Sequence, residues 1–79
     1  MTPTVFKYKS YRFFFFSREE TRKHIHVICE DGEAKFWIEP IVCLSDYFKL
    51  SKKQLNELQK IVEEHVNDII KAWKTHFND

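Results

Sequence analysis

HIHVICEDGEAKFWIE, residues 24–39, holds two runs of strand-forming residues on either side of Asp31-Gly32. Asp-Gly supplies the two positive φ angles of a type I′ turn, so the stretch predicts a tight hairpin. A two-residue loop pairs Glu30 with Glu33, Cys29 with Ala34, Val27 with Phe36, His26 with Trp37, Ile25 with Ile38 and His24 with Glu39. Side chains alternate across a sheet, and that alternation sorts these residues cleanly. Ile25, Val27, Cys29, Ala34, Phe36 and Ile38 form an apolar face, while His24, His26, Ile28, Lys35, Trp37 and Glu39 form the other. A sheet apolar on one side needs a cover there, which points to a two-layer fold.

Upstream, Thr4 to Ser17 carries seven of the chain's 13 aromatic residues, and such residues suit a pleated, packed surface. The break falls at Lys9-Ser10, predicting strands over about 4–9 and 11–17. A two-residue loop there pairs Tyr8 with Tyr11, Lys7 with Arg12 and Phe6 with Phe13. Neither Lys nor Ser takes positive φ cheaply, so the turn is a poor one by composition. The four consecutive residues Phe13 to Phe16 put apolar groups on both faces, which suits an interior strand.

Downstream, Pro40 ends the strand that starts at Glu33, because proline cannot donate to a ladder. Ile41–Leu44 reads as a short edge strand, and Ser45–Leu50 as a connection that buries Tyr47 or Phe48. Ser51 with Gln54 three residues on is a capping box, so Ser51 is a cap and not a nucleophile. A helix follows over about 52–77, with Leu55, Leu58, Ile61, Val62, Val66, Ile69, Trp73 and Phe77 at spacings of three and four. Such a helix is roughly 40 Å long, whereas strands run about 17–20 Å. It must therefore break near Asn67-Asp68 or project beyond the sheet, and projection is the expectation. The predicted fold class is α+β: one domain over 1–79, an antiparallel four- to five-stranded sheet with one long C-terminal helix packed on one face.

At 79 residues there is room for one compact domain only. The hydrophobic core of so small a domain is marginal, which favours a homo-oligomer or another partner. No apolar run approaches the roughly 18 residues of a membrane span. The N-terminus lacks the order of a secretory signal, so a cytoplasmic protein with no membrane association is expected. The two cysteines, Cys29 and Cys43, make neither a disulfide framework nor a zinc set, and reduced, partly buried thiols are expected. Charge is segregated: residues 1–28 carry six basic groups against two acids, and residues 29–46 five acids against Lys35. The net charge of +1 argues against strong unspecific nucleic-acid binding, which needs several phosphates neutralised together.

His24 and His26 point to one side of a strand, and the register above sets Glu39 across from His24. Two imidazoles near neutral pH can act as acid and base, so this pair is the candidate catalytic set. With Glu39 they are also the one weak candidate for metal, although the further ligands of a short metal motif are missing. Lys7, Arg12, Lys35 and Trp37 are the candidate binding residues. Basic groups among aromatic rings can hold single-stranded nucleic acid, and equally can lay their stems over neighbouring rings. His65 flanks the helical stripe as a packing residue, and His76 suits the carbonyl end of the helix. No phosphate-binding glycine loop, HExxH or zinc-finger spacing occurs, and no cofactor is implied.

The segments PTVFKYKSYRFFFFS, HIHV, DGEAKFWIEP, LSKKQL and AWKTHF, spanning Pro3 to Phe77, resemble the small bacterial proteins grouped as domain of unknown function family 4160. Two departures show: Ser10 stands where the family usually has Gly, and Arg22-Lys23 where it usually has Pro-Pro. The resemblance implies a small cytosolic bacterial protein working with a second small protein encoded beside it, in an arrangement similar to toxin–antitoxin pairs. It supplies no catalytic residues. Three readings follow: a partner-binding interaction protein, an RNA-binding protein or ribonuclease using Lys7, Arg12, His24 and His26, and a metal-dependent enzyme at His24, His26 and Glu39.

Overall fold

The structure, a computed structural model, describes residues 4–15 and 22–77. Five antiparallel strands lie in chain order across one sheet: β1 (Thr4–Tyr8), β2 (Tyr11–Phe14), β3 (His24–Ile28), β4 (Glu33–Trp37) and β5 (Cys43–Phe48). Two helices follow, α1 (Lys52–Glu64) and α2 (Val66–Phe77). The α+β class and the antiparallel sheet are as the sequence predicts; a single long helix is not. The expected end of the second strand, Phe16 and Ser17, lies outside the described residues.

The first hairpin has the predicted register, with Tyr8 opposite Tyr11, Lys7 opposite Arg12 and Phe6 opposite Phe13. Its turn is made by Lys9 at φ 54°, the conformation its composition disfavours. Contacts across the layers hold it there. Lys9 Nζ lies 2.8 Å from Glu57 Oε2 on α1, and the Tyr11 hydroxyl donates to Glu57 Oε1 at 3.3 Å. On the core side Phe6 stacks on Phe13 at 4.3 Å.

The second hairpin corrects the predicted register by two residues: His24 faces Trp37, His26 faces Lys35 and Ile28 faces Glu33. Cys29 to Gly32 form a four-residue loop closed by the Cys29 N–H donating to the Gly32 carbonyl, and no glycine has positive φ. Two tertiary contacts explain the wider loop. The Asp31 carboxylate accepts from Gln54 Nε2 at 3.0 Å. Gly32 lies so close to the Phe48 and Lys49 backbone that a β-carbon would meet the Phe48 carbonyl oxygen. Because the shift is even, the strands keep their predicted alternation, but His24, predicted on the solvent side, is buried against Trp73 of α2.

β5 is longer and later than the predicted 41–44 strand. Ile41 and Val42 fall in the turn after the cis Glu39–Pro40 bond, and Ser45 sits at a bulge opposite β4. Tyr47 and Phe48, one or other of which the sequence buries in a connection, extend the strand. They pair with Ala34 and Glu33, and are 52% and 59% exposed. Their β-propensity carries pairing through Ser45-Asp46.

The inner face buries Tyr11, Phe13, Phe15, Ile25, Val27, Ala34, Phe36 and Ile38 against Leu58, Ile61 and Val62 of α1 and Ile69 and Trp73 of α2. At about 25 cal/mol per Å² of apolar area removed from water, this contact is the main favourable term. α1 opens with the predicted capping box: Gln54 N–H donates to Ser51 Oγ at 3.1 Å, and Ser51 N–H to Gln54 Oε1 at 2.9 Å. It ends at His65, where the backbone breaks at φ −112° and ψ 14°. The break falls two residues before Asn67-Asp68. It gives segments of roughly 20 and 18 Å, matched to the strands. No projection is needed. Among the described residues no helix is long and apolar enough to cross a membrane.

Candidate functional site

Strand register gathers the sequence candidates on the outer face of the sheet. One row crosses it as Phe14, His26, Lys35 and Asp46, each opposite the next. A second row runs Arg12, Ile28, Glu33 and Phe48, with Lys7 beside Arg12 on β1. A third joins His24, Trp37 and Cys43. Five of the seven candidates, Lys7, Arg12, His26, Lys35 and Trp37, therefore share a surface, while His24, in the same register, is buried. The seventh, Glu39, lies past the end of β4, where its carboxylate meets Lys23 Nζ at 3.2 Å. Trp37 takes the place opposite His24 that Glu39 was expected to fill. Among the described residues no three His, Cys, Asp or Glu side chains gather in a way that could hold a metal.

The two histidines have different surroundings. His24, expected to face solvent, is 1% exposed. Its ring is edge-on to Trp37 at 5.8 Å and lies 5.1 Å from Trp73 of α2. Nδ1 lies 2.8 Å from the Arg22 carbonyl oxygen, which only accepts, so that nitrogen carries the proton. Two indoles and a backbone bond fix this ring in place, as packing demands and substrate contact does not. His26 is half-buried and stacks on Phe14 at 5.6 Å, whereas Trp37 was the expected neighbour.

Three cations lie over rings of this face. Arg12 sits 5.0 Å above Phe14 and donates to Thr4 Oγ1 at 2.7 Å. Arg22 and Lys35 lie 4.4 and 4.6 Å from the Trp37 ring centre. Arg22 also donates to the Glu39 carbonyl at 2.6 Å. This is the stem-over-ring arrangement that long basic side chains adopt on aromatic surfaces. Glu33 and Asp46 share the face and offset its positive charge.

Sequence reasoning missed Asp46, Tyr47 and Phe48. With Phe14, His26 and Lys35 they line a cleft of about 380 Å³ at the β5 side of the sheet. The strand propensity of Tyr47 and Phe48 was the available signal. A larger, open hollow of about 1140 Å³, between the β4–β5 turn and the helix junction, takes in only Glu39 of the candidates. Cys43 is exposed and Cys29 half-buried against the core; both are free thiols.

Shifted titration occurs at the first turn, away from this face. The Lys9 ammonium holds the Glu57 carboxyl below its ordinary value, and Glu57 in turn raises Lys9. Burial, then the Glu57 charge, raises Tyr11.

An antiparallel sheet backed by two helices, carrying rings and charges in register on its far side, defines a small two-layer α+β domain. The chain belongs to the domain of unknown function family DUF4160, whose pattern it matches over residues 10–74. No curated protein and no solved structure matches it.

Proposed function

We propose that this chain is a small cytoplasmic bacterial interaction protein that binds a partner protein encoded beside it in a toxin–antitoxin-like pair. The observation that carries this reading is the exposure of Tyr47 and Phe48, consecutive residues on opposite faces of the edge strand β5, 52% and 59%. Aromatic rings left in water at a sheet rim gain by burial against a second protein. Other chemistry is less well served. His24 is enclosed by two indoles, and Arg12 and Lys35 lie over rings on a face that also carries Glu33 and Asp46, which weakens attraction for phosphate.

The test is co-expression of the tagged chain with the neighbouring gene product, scoring growth and pull-down together. A stoichiometric complex is expected, with growth differing between expression alone and expression together. A clean monomer indifferent to the neighbour overturns the reading. A single-stranded RNA shift abolished by Lys7→Ala and Arg12→Ala would favour the nucleic-acid alternative.

A further inference from the structure

Resting on the partner-binding reading, we infer that β5 receives its partner by strand addition, and that the added strand is an extended basic segment of that protein, placing Lys or Arg opposite Asp46. β5 is the terminal strand of the sheet, so one of its backbone edges has no neighbour among the described residues. An open edge of this kind is a template for a sixth strand. Five of its six residues are exposed, with Leu44 half-buried, and it contains neither Pro nor Lys, the residues that commonly blunt such edges.

What guards the edge is Asp46. Its Oδ1 accepts the Tyr47 backbone N–H at 2.9 Å, occupying a main-chain donor with a side chain of the same strand. An incoming strand supplies a carbonyl to that donor and releases the carboxylate. The released carboxylate keeps Lys35 opposite it on β4 and gains a second cation if the added strand is basic at that position. An acidic newcomer there meets a like charge, so Asp46 selects as well as guards.

The surroundings favour the same chemistry. Glu33, opposite Phe48 on β4, adds a second acid to the outer face. Pairing places Asp46 and Phe48 on the outer face and Leu44 and Tyr47 on the inner one. The added strand therefore alternates basic residues outward with apolar residues inward. A second copy's β5 does not fit: a two-fold pair centred on this strand brings two Asp46 carboxylates to adjacent positions, and like charges across a ladder repel.

The probe is a labelled heptapeptide of alternating Val and Lys, with a Val/Glu analogue and a backbone N-methylated Val/Lys version. The chain should bind the Val/Lys peptide about tenfold tighter than the Val/Glu one. N-methylation should abolish binding, and the Tyr47 amide resonance should shift and exchange more slowly on titration. Asp46→Lys, an exposed substitution whose unchanged melting temperature is checked first, should reverse the preference. Equal affinity for both peptides, binding that survives N-methylation, or an unmoved Tyr47 amide overturns strand addition. If the neighbouring protein co-purifies equally with wild type and Asp46→Lys, the partner reading stands and this one falls. If no neighbour co-purifies but the peptides behave as described, the edge site stands and the partner reading falls.

Discussion

Nδ1 of His65 lies 2.8 Å from the carbonyl oxygen of Ile61, one turn back along α1, while its ring stacks on Phe6 of β1 at 4.6 Å. The imidazole thus serves a carbonyl at the helix end and anchors that end to the sheet. The His65 carbonyl then accepts from the Ile69 N–H at 2.9 Å, starting α2. A side chain bonded to its own helix competes with helix continuation, and here the competition is resolved by the ring's seat on Phe6.

His65→Ala should lower stability by about 1–2 kcal/mol through loss of the bond and the stack. Alanine removes the stop signal as well, so far-UV helix content should hold or rise while the urea midpoint falls. An unchanged midpoint would mean that neither contact contributes.

Glu57 should contribute to the pH dependence of stability on both the acid and the alkaline side. Its carboxyl titrates below the ordinary 4.5 in the folded chain because Lys9 donates to it. That contribution is complete above pH 4.5 and is lost as pH falls through the lowered value. Lys9 and Tyr11 are raised above their ordinary 10.5 and 10.0. Their contribution is complete below about pH 10 and is lost as pH rises through the raised values. Melting temperature against pH should therefore show a plateau with a shoulder at each side. Glu57→Gln should diminish both shoulders, and added salt should do so partly, because the ion pair is exposed.

The first hairpin was legible because Tyr8, Tyr11, Phe6 and Phe13 announce their pairing whatever the turn residues are. The faces of the second were legible because alternation survives an even slip, while its register was set by Gln54 and Phe48, distant in sequence and silent in local pattern. The helix break was hidden for a similar reason. His65 is an ordinary helical residue until Phe6 lies beneath it, and Gly or Pro would have been the local sign. Of the candidate surface, strand period placed Arg12, His26, Lys35 and Trp37 together. The burial of His24 required Trp73, 49 positions along the chain, and no pattern near His24 predicts that contact.

Gly32→Ala tests the loop correction. A β-carbon there meets the Phe48 carbonyl oxygen and the Lys49 backbone, neither of which can rotate away. The expected loss is about 1–3 kcal/mol in chemical denaturation. A bare type I′ turn would also suffer, through φ. The distinguishing result is Gly32→Asn: asparagine tolerates positive φ but carries the same β-carbon, so it should be no better than alanine.

His24→Ala decides whether the ring packs or reacts. A surface acid–base group can be removed with little effect on folding, whereas a ring with 1% exposure between Trp37 and Trp73 leaves a hole and strips the Arg22 carbonyl of its donor. The two losses together should cost about 2–4 kcal/mol, read as a lower urea midpoint at unchanged slope. His24→Gln retains a donor and part of the volume, so it should recover some of that deficit. Trp73→Phe, which shrinks the wall from the other side, should couple to His24→Ala in a double-mutant cycle, the pair costing less than the sum of the singles. Full stability of His24→Ala, or strict additivity with Trp73→Phe, would separate the two rings and return His24 to the list of groups free to meet a substrate.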